Sequence, residues 1–318
     1  MSETSLPAPA RTASLPVDGP YNLLATVRLL QRRPVNRVER WEDDQYRRVL
    51  ATPAGLQLAT VSNEGSVGEP RLRLDLYGGP VEEADRDRLV ATLRWMLGLD
   101  ADPAPLGWLV EQEPRFTATA EALRGFRAPC FADLWETCLS VLPFQQLSLD
   151  AGTAIHGRII ERWGPVLELG GVIWRGIPSP KTILDADPAE LREAGLSGAK
   201  IKAVYALAQI ALDGGLDAER FQPLSTDDAR RELVKLPGIG PWSADILLLR
   251  GLRRVDLFPP GDTGSARGLT ALLGLPALLT PAEASAYARQ FGDRRAYLYF
   301  LSLGNNLISK GLLPTAAE

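Results

Sequence analysis

Two short segments in the last third of the chain carry residue types that could bind a phosphate and stabilise a cation. The first, residues 236–242, reads LPGIGPW and precedes an apolar run, residues 243–249, that we predict to be helical. Glycine tolerates positive φ, and successive amides at a helix N-terminus can bind an anion such as phosphate. The second, residues 258–264, is rich in proline and glycine and carries one carboxylate, Asp262, just before another helical pattern.

Either segment alone has a simpler explanation. A G-x-G turn often only joins two helices, and a single Asp before a helix is most often an N-cap. The conjunction of the two, separated by an apolar helix, is much more specific. It resembles the helix-hairpin-helix plus Gly/Pro-Asp motif of DNA glycosylases.

The rest of the chain predicts an α+β protein in which a small domain precedes a helical region. Residues 1–19 lack an apolar segment and are predicted to be a flexible tail, and residues 20–112 alternate like an antiparallel meander with helices, which indicates an α/β domain. From residue 113 to residue 318 the patterns predict helices alone, as two helical subdomains with a cleft between them.

Composition narrows the function classes. The net charge of −4 argues mildly against a nucleic-acid partner, although Arg250 and three further arginines lie within residues 250–267 against two aspartates. Cys130 and Cys138 are too few for a disulfide framework or an iron–sulfur cluster, and His156 is the only histidine, so no zinc pattern is present. We expect a reduced, cytoplasmic protein, associated with the nucleoid and not with a membrane.

From Pro20 onward the whole chain resembles the DNA-3-methyladenine glycosylase II family. The order of motifs matches: the small α/β domain, GFRAP at residues 125–129, QQLS at 145–148, WRGIP at 174–178, GLS at 195–197 before Lys200, then the hairpin and Asp262. Members of this family flip a damaged nucleotide out of double-stranded DNA and hydrolyse its bond to the base. The resemblance therefore implies a monomeric base excision repair enzyme for alkylated purines, with Asp262 as the catalytic carboxylate.

The resemblance also assigns roles to other positions. In members that cut the strand, a lysine lies two residues after the second hairpin glycine; here Trp242 occupies that position, which implies a monofunctional hydrolase. The base pocket would be lined by Trp242, Leu29, Ile246, Thr263 and Leu303. The DNA contacts would be Gly238, Ile239, Gly240, Pro241 and Arg250, together with a wedge turn formed by Gln145, Gln146 and Leu147. The resemblance implies no cofactor other than a structural monovalent cation, bound by the backbone carbonyls of Val234, Leu236 and Ile239.

Two alternatives remain open from the sequence. One is a glycosylase for deaminated or oxidised bases, because the predicted pocket positions hold few aromatic residues. The other is a non-catalytic DNA-binding hairpin module, for which a carboxylate such as Asp262 would have no function.

Overall fold

The computed structural model describes residues 6–315, and its N-terminal part is a five-stranded antiparallel sheet. The strand order is β1-β5-β4-β3-β2, so β1 and β2 form opposite edges. The strands are β1 (Arg11–Leu15), β2 (Arg40–Glu42), β3 (Gln45–Thr52), β4 (Gly55–Asn63) and β5 (Leu72–Gly78).

Strand β1 lies within the segment predicted to be a flexible tail, and that prediction is wrong over Arg11–Leu15. These residues pair in register with β5, from Arg11 opposite Leu76 to Leu15 opposite Leu72. Only Leu15 of the strand is buried, so the sequence carries little apolar signal. Main-chain hydrogen bonds to β5, which any residue but proline can donate, hold the strand instead. Residues 1–5 of the predicted tail lie outside the described residues.

Helix α1 (Leu23–Gln31) joins the sheet to the helical region. It begins at the N-cap Asn22, whose side chain accepts the N–H of Ala25. Leu23, Val27 and Leu30 face the core beneath the sheet, to which α2 (Glu83–Leu97) also contributes. Leu29 instead belongs to the core of the helical region. Because α1 is buried on two sides, it fixes how the two parts of the chain meet.

The remainder of the chain is mostly helical, as the sequence predicts. None of the helices within residues 6–315 combines the length and apolar character needed to cross a bilayer. The helices are α3 (Leu106–Gln112), α4 (Thr117–Ala122), α5 (Leu134–Val141), α6 (Leu149–Trp163), α7 (Pro180–Leu184), α8 (Pro188–Glu193), α9 (Gly198–Leu212), α10 (Thr226–Leu233), α11 (Pro241–Gly251), α12 (Thr263–Leu272), α13 (Pro281–Ala288) and α14 (Ala296–Ser309).

The expectation of helices alone after residue 113 is wrong at one place. Strands β6 (Val166–Leu169) and β7 (Val172–Arg175) form an antiparallel hairpin. Gly170 and Gly171 both have positive φ, 59° and 72°, which suits a two-residue turn between twisted strands. The buried Trp174 of β7 packs with Val49 and Leu58, so the hairpin covers the N-terminal sheet.

The closest packing divides the helices into two groups. Helix α11 packs against α5 and α10, whereas α12 packs against α13 and α14, with α1 also on α14. The loop between α11 and α12 therefore passes from one group to the other, and Asp262 ends that loop.

Candidate active site

Asp262 is held by two donors that come from different helices. Its Oδ1 accepts the N–H of Ser265 at 2.6 Å, which caps α12, and its Oδ2 accepts the indole Nε1–H of Trp242 at 2.9 Å. A Cβ at Gly264 would lie 3.2 Å from Oδ1. The carboxylate is thus oriented at the N-terminus of a helix, in a half-buried position from which it can face a bound molecule.

The hairpin preceding α11 presents backbone amides. Gly238 has φ of 73°, in the left-handed region, and a Cβ there would lie 2.4 Å from the Cβ of Ala203. Gly240 is the N-cap of α11, and Pro241 follows at the first helical position. Within residues 6–315, the N–H groups of Gly238 and Gly240 have no protein acceptor. They are therefore available to an anion at the N-terminus of an eleven-residue helix.

Ile239 has a different part in the hairpin from the DNA contact that the sequence suggests. Its side chain is buried, and its N–H donates to the carbonyl of Leu236 at 3.1 Å. It therefore closes the turn between the two glycines, and its contact with DNA remains a prediction.

The two helices of the hairpin are locked together by an ion pair. Arg230 of α10 binds Asp245 of α11, a side chain with no exposed surface. Burial raises the pKa of Asp245, and the arginine opposes that rise. Losing the arginine would leave a buried carboxyl without its main partner, which is costly. Because the pair joins α10 to α11, it also holds the hairpin amides in a fixed direction.

The wedge turn, residues 145–147, is tied to the hairpin by side-chain contacts. Gln145 Nε2 donates to the carbonyl of Gly238 at 2.8 Å and to Ser243 Oγ at 2.9 Å. Lys200 Nζ donates to the carbonyls of Gln145 at 2.9 Å and Pro143 at 3.3 Å. Gln146 is exposed with φ of 58°, and Leu147 is 45% exposed. Two outward side chains thus stand on a turn whose base is fixed.

Asp262, the hairpin amides and the wedge turn all contact the first turn of α11. Trp242 holds Asp262, the adjacent Ser243 holds Gln145, and Gly240 caps the same turn. The hairpin amides, the turn at residues 145–147 and the carboxylate of Asp262 are therefore linked through one helical turn.

The other predicted pocket positions lie on four different helices, α1, α11, α12 and α14. Leu29 and Ile246 are buried in the helical core, Leu303 is half-buried and Thr263 is exposed. Two of these helices, α12 and α14, cross closely at Gly268 and Ser302. Their contact with a base remains a prediction.

Family models match both parts of the chain. The model for the AlkA N-terminal domain matches residues 12–133, and the model for the HhH-GPD superfamily of base excision DNA repair proteins matches residues 139–292. The second match contains the hairpin, the wedge turn and Asp262. The chain therefore consists of an AlkA N-terminal domain followed by an HhH-GPD domain.

Named relatives point to the same branch of this superfamily. The chain is 32% identical over 281 residues to a probable bifunctional transcriptional activator/DNA repair enzyme AlkA of Mycobacterium tuberculosis, covering 86% of the chain and 53% of the relative. It thus spans about half the length of that protein. It is 26% identical over 282 residues to DNA-3-methyladenine glycosylase 2 of Escherichia coli, covering 87% and 92% of the two chains.

A solved structure supports the fold. The 3-methyladenine DNA-glycosylase from Archaeoglobus fulgidus superposes with a TM-score of 0.77 at 21% identity, over 94% of this chain and 99% of that one. The chain therefore has the expected α+β fold, with an antiparallel sheet domain followed by a helical HhH-GPD region, to which β6 and β7 are added.

The predicted DNA contact by Arg250 is wrong. Its side chain is buried, and both terminal nitrogens donate to the carbonyl of Leu29, at 3.2 and 3.1 Å. The guanidinium also lies 5.4 Å from the ring centroid of Phe131 and 5.7 Å from that of Phe300. Burial lowers its pKa. Arg250 joins α11 to α1 and does not reach the surface where a strand would bind.

Sequence reasoning also missed contacts that position the site. The bond from Trp242 to Asp262, the anchoring of the wedge turn by Lys200 and the link from Ser243 to Gln145 carry no motif of their own. Each joins residues far apart in the chain. The one available signal was Lys200 itself, a lysine placed just after the GLS segment.

Proposed function

We propose that this chain is a monofunctional DNA glycosylase that flips alkylated purines of the 3-methyladenine type out of duplex DNA and hydrolyses their N-glycosidic bond. The observation that carries the proposal is the first turn of α11, which links free hairpin amides, the wedge turn and Asp262. A non-catalytic hairpin module would need the amides alone. The names of the relatives support the substrate class.

The hairpin would hold a phosphate next to the lesion. The free N–H groups of Gly238 and Gly240 and the positive end of the α11 dipole favour an anion at this point. These contacts carry no base specificity, so they would hold damaged and undamaged duplexes alike.

The wedge turn would fill the gap left by the flipped nucleotide. Gln146 is exposed and can offer hydrogen bonds to the partner base, while the neighbouring Leu147 offers apolar surface. Opening a pair costs a few kcal/mol, less at a damaged pair, and an anchored turn can offset that cost. Lys200 and Gln145 provide the anchoring.

Asp262 would act on the sugar once the base is everted. As the base leaves with the electrons of the N-glycosidic bond, positive charge develops at C1′, and a nearby carboxylate stabilises it. An N3- or N7-alkylated purine is already cationic and departs as a neutral base, so it needs no strong acid. Water then bonds to C1′, and its proton passes to the solvent or to Asp262.

The residue at the position of the lyase lysine supports a hydrolase without strand cleavage. Trp242 cannot form a Schiff base with C1′, and its Nε1–H is donated to Asp262. Abasic strands should therefore remain intact after the base is released.

Base release from methylated duplex DNA, with and without alkali, tests the proposal. We expect free 3-methyladenine and strands that break only on alkali treatment, and an Asp262→Asn variant that binds the duplex but excises at least about 100-fold more slowly. Near-normal excision by that variant would refute the catalytic role. Release only from a panel of deaminated or oxidised bases would move the enzyme to another substrate class, and binding without release would favour the non-catalytic module.

A monovalent cation at the hairpin is a separate proposal. The carbonyl oxygens of Val234, Leu236 and Ile239 are neutral donors of the kind that bind such ions, and Leu236 retains a lone pair beyond its bond to Ile239. Replacing potassium with tetramethylammonium at constant ionic strength should weaken duplex binding if the ion orders the turn. An unchanged affinity for the duplex would refute the proposal that a cation orders this turn.

The remaining expectations concern the enzyme in solution. We propose that it acts as a monomer on double-stranded DNA and is located in the cytoplasm with the nucleoid. Light scattering of the free protein and of its complex with a short duplex gives the stoichiometry. A two-to-one complex on a single lesion would contradict the first of these.

A further inference from the structure

The segment between α1 and β2 is unusually basic for a chain with a net charge of −4. From Gly19 to Val38 the sequence contains Arg28, Arg32, Arg33 and Arg37 and no aspartate or glutamate. We call residues 32–38 the arginine loop. Its positive charge is a local feature that the overall composition hides.

Most of this charge is not neutralised by the residues from 6 to 315. Arg28 Nη1 donates to the amide oxygen of Gln31 at 2.6 Å, and Arg32 Nη2 donates to the hydroxyl of Tyr299 at 3.1 Å, so both have neutral partners. Arg33 pairs with Asp150 at 2.8 Å, but that carboxylate is 81% exposed and the pair is weak. Arg37 is exposed and has no hydrogen bond or ion pair with any residue from 6 to 315.

The arginine loop lies beside the wedge turn. Asp150, the partner of Arg33, is in the first turn of α6, directly after the wedge. The Cγ of Arg37 is 3.9 Å from the Cβ position of Gly157, two turns further along α6. A cavity of about 40 Å³ is lined by Arg32 and Arg37 of the loop and also by Phe144, the residue before the wedge turn.

The wedge turn is therefore connected both to the hairpin amides and to the arginine loop. Gln145 connects it to the hairpin amides, and Phe144 and Asp150 connect it to the arginine loop. If the hairpin holds the damaged strand and the wedge enters the helix between the strands, cations beyond the wedge face the other strand. The loop tip also carries Val35, an apolar side chain that is 69% exposed.

We propose that the arginine loop binds the phosphates of the undamaged strand, with Arg37 and Arg33 as the contacting side chains. This inference rests on the proposed function, since it takes its orientation from the hairpin and the wedge. The contact holds the partner strand in place while a base is everted from the damaged one. Arg33 would exchange its weak pair with Asp150 for a phosphate.

The test compares duplex and single-stranded probes. The affinity of an Arg33→Ala/Arg37→Ala variant is measured by fluorescence anisotropy over a sodium chloride series, with a duplex containing a tetrahydrofuran abasic analogue and with its damaged strand alone. Removing one arginine–phosphate interaction lowers the slope of log K against log salt by about 0.9 on duplex DNA. We expect a slope lower by about 1.8 and an affinity at least roughly 10-fold weaker on the duplex, with no change on the single strand.

Arg11→Ala is the matched control. Arg11 is an exposed arginine on β1, the sheet edge opposite β2, which directly follows the arginine loop. Four strand spacings separate the two edges, or about 19 Å. This variant should bind both probes like the wild type, and a loss equal to that of the loop variant would indicate a general effect of net charge and overturn the inference.

The outcomes separate this inference from the proposed function. Wild-type excision with an unchanged slope in the loop variant overturns the inference alone, as does an equal loss on the single strand. A duplex-only loss in a protein that releases no base supports the loop contact and refutes the glycosylase. Absence of duplex binding by the wild type refutes both.

Discussion

At the scale of single residues, the pair Trp242–Asp262 defines what this site can do. The position that holds a nucleophilic lysine in strand-cutting members is occupied by an indole whose Nε1–H orients the carboxylate. The resemblance places Trp242 in the base pocket, where its aromatic face would stack on a base. The hydrogen bond would give Trp242 a further function, because a carboxylate oriented by a fixed donor does not need to reorganise as charge develops at C1′.

Substitution of Trp242 by Phe separates these two functions. Phe keeps an aromatic face but cannot donate to Asp262, and a hydrogen bond to a charged group is worth about 1.5–3 kcal/mol. We therefore expect single-turnover excision to slow by roughly 10- to 100-fold while duplex affinity changes little. In an Asp262→Asn background the same change should cost much less, since the charged carboxylate that the indole N–H orients is gone. Equal losses in both backgrounds would restrict Trp242 to base stacking.

At the scale of elements, the hairpin depends on one glycine with two separate requirements. Gly238 has φ of 73°, and its Cβ position is 2.4 Å from the Cβ of Ala203 on α9. A side chain here would strain the backbone and push the turn away from α9. Since the wedge turn is bonded to the carbonyl of Gly238, it would move as well.

Gly238→Ala should weaken binding to damaged and undamaged duplexes to a similar degree, by roughly 10-fold, because the misplaced amides contact phosphate and not bases. Gly274→Ala is the control, since Gly274 also has positive φ, 61°, but a Cβ there meets nothing within 4 Å. Both variants should unfold more easily, and only the first should lose affinity. A loss confined to damaged DNA would contradict the phosphate role of the hairpin.

At the scale of the whole molecule, a buried ionic cluster joins the sheet to the helices. Arg48 of β3 binds both Glu39 and Glu136, and the hydroxyl of Tyr46 also donates to Glu39. Burial raises the pKa of Glu39, and for Arg48 the carboxylates of Glu136 and Glu39 outweigh burial and raise the pKa. Removing one member would leave an unpaired buried charge, at a cost of about 3–5 kcal/mol. The sheet domain is therefore fixed relative to α5, the helix that carries Glu136.

His156 makes this region sensitive to acid. Burial, assisted by the Arg48 guanidinium, lowers the pKa of His156 from 6.5 to about 4, and its Nε2 has no partner within residues 6–315. As the pH falls below 6.5, the unfolded chain binds a proton that the folded protein refuses, so stability decreases down to about pH 4.

Urea unfolding of the wild type and of His156→Asn isolates this contribution from that of Glu39, which titrates in both. Between pH 7 and pH 5 the wild type should lose about 2 kcal/mol more than the variant. Parallel pH profiles would show that His156 gains a proton without cost, and would exclude it as the acid-sensitive group.

The sequence by itself determined the hairpin, the helix that follows it, the carboxylate at the start of α12 and the order of the two parts. These features depend on local requirements: positive φ at Gly238, a capping side chain at Asp262, and apolar residues at helical spacing. Such requirements depend only on residues that are close in the sequence, so they can be recognised without knowledge of the tertiary contacts.

Only the tertiary structure decided the partners of individual side chains. Arg250 lies in a stretch rich in arginine yet is buried against Leu29. Arg37, in contrast, has no partner among residues 6–315 and lies beside the wedge turn. The weakly apolar β1 becomes a strand because β5 offers an edge, and Trp242 meets Asp262 because two helix groups converge. Tertiary packing determines which of several chemically similar side chains is buried, paired or exposed, and the local sequence does not specify this.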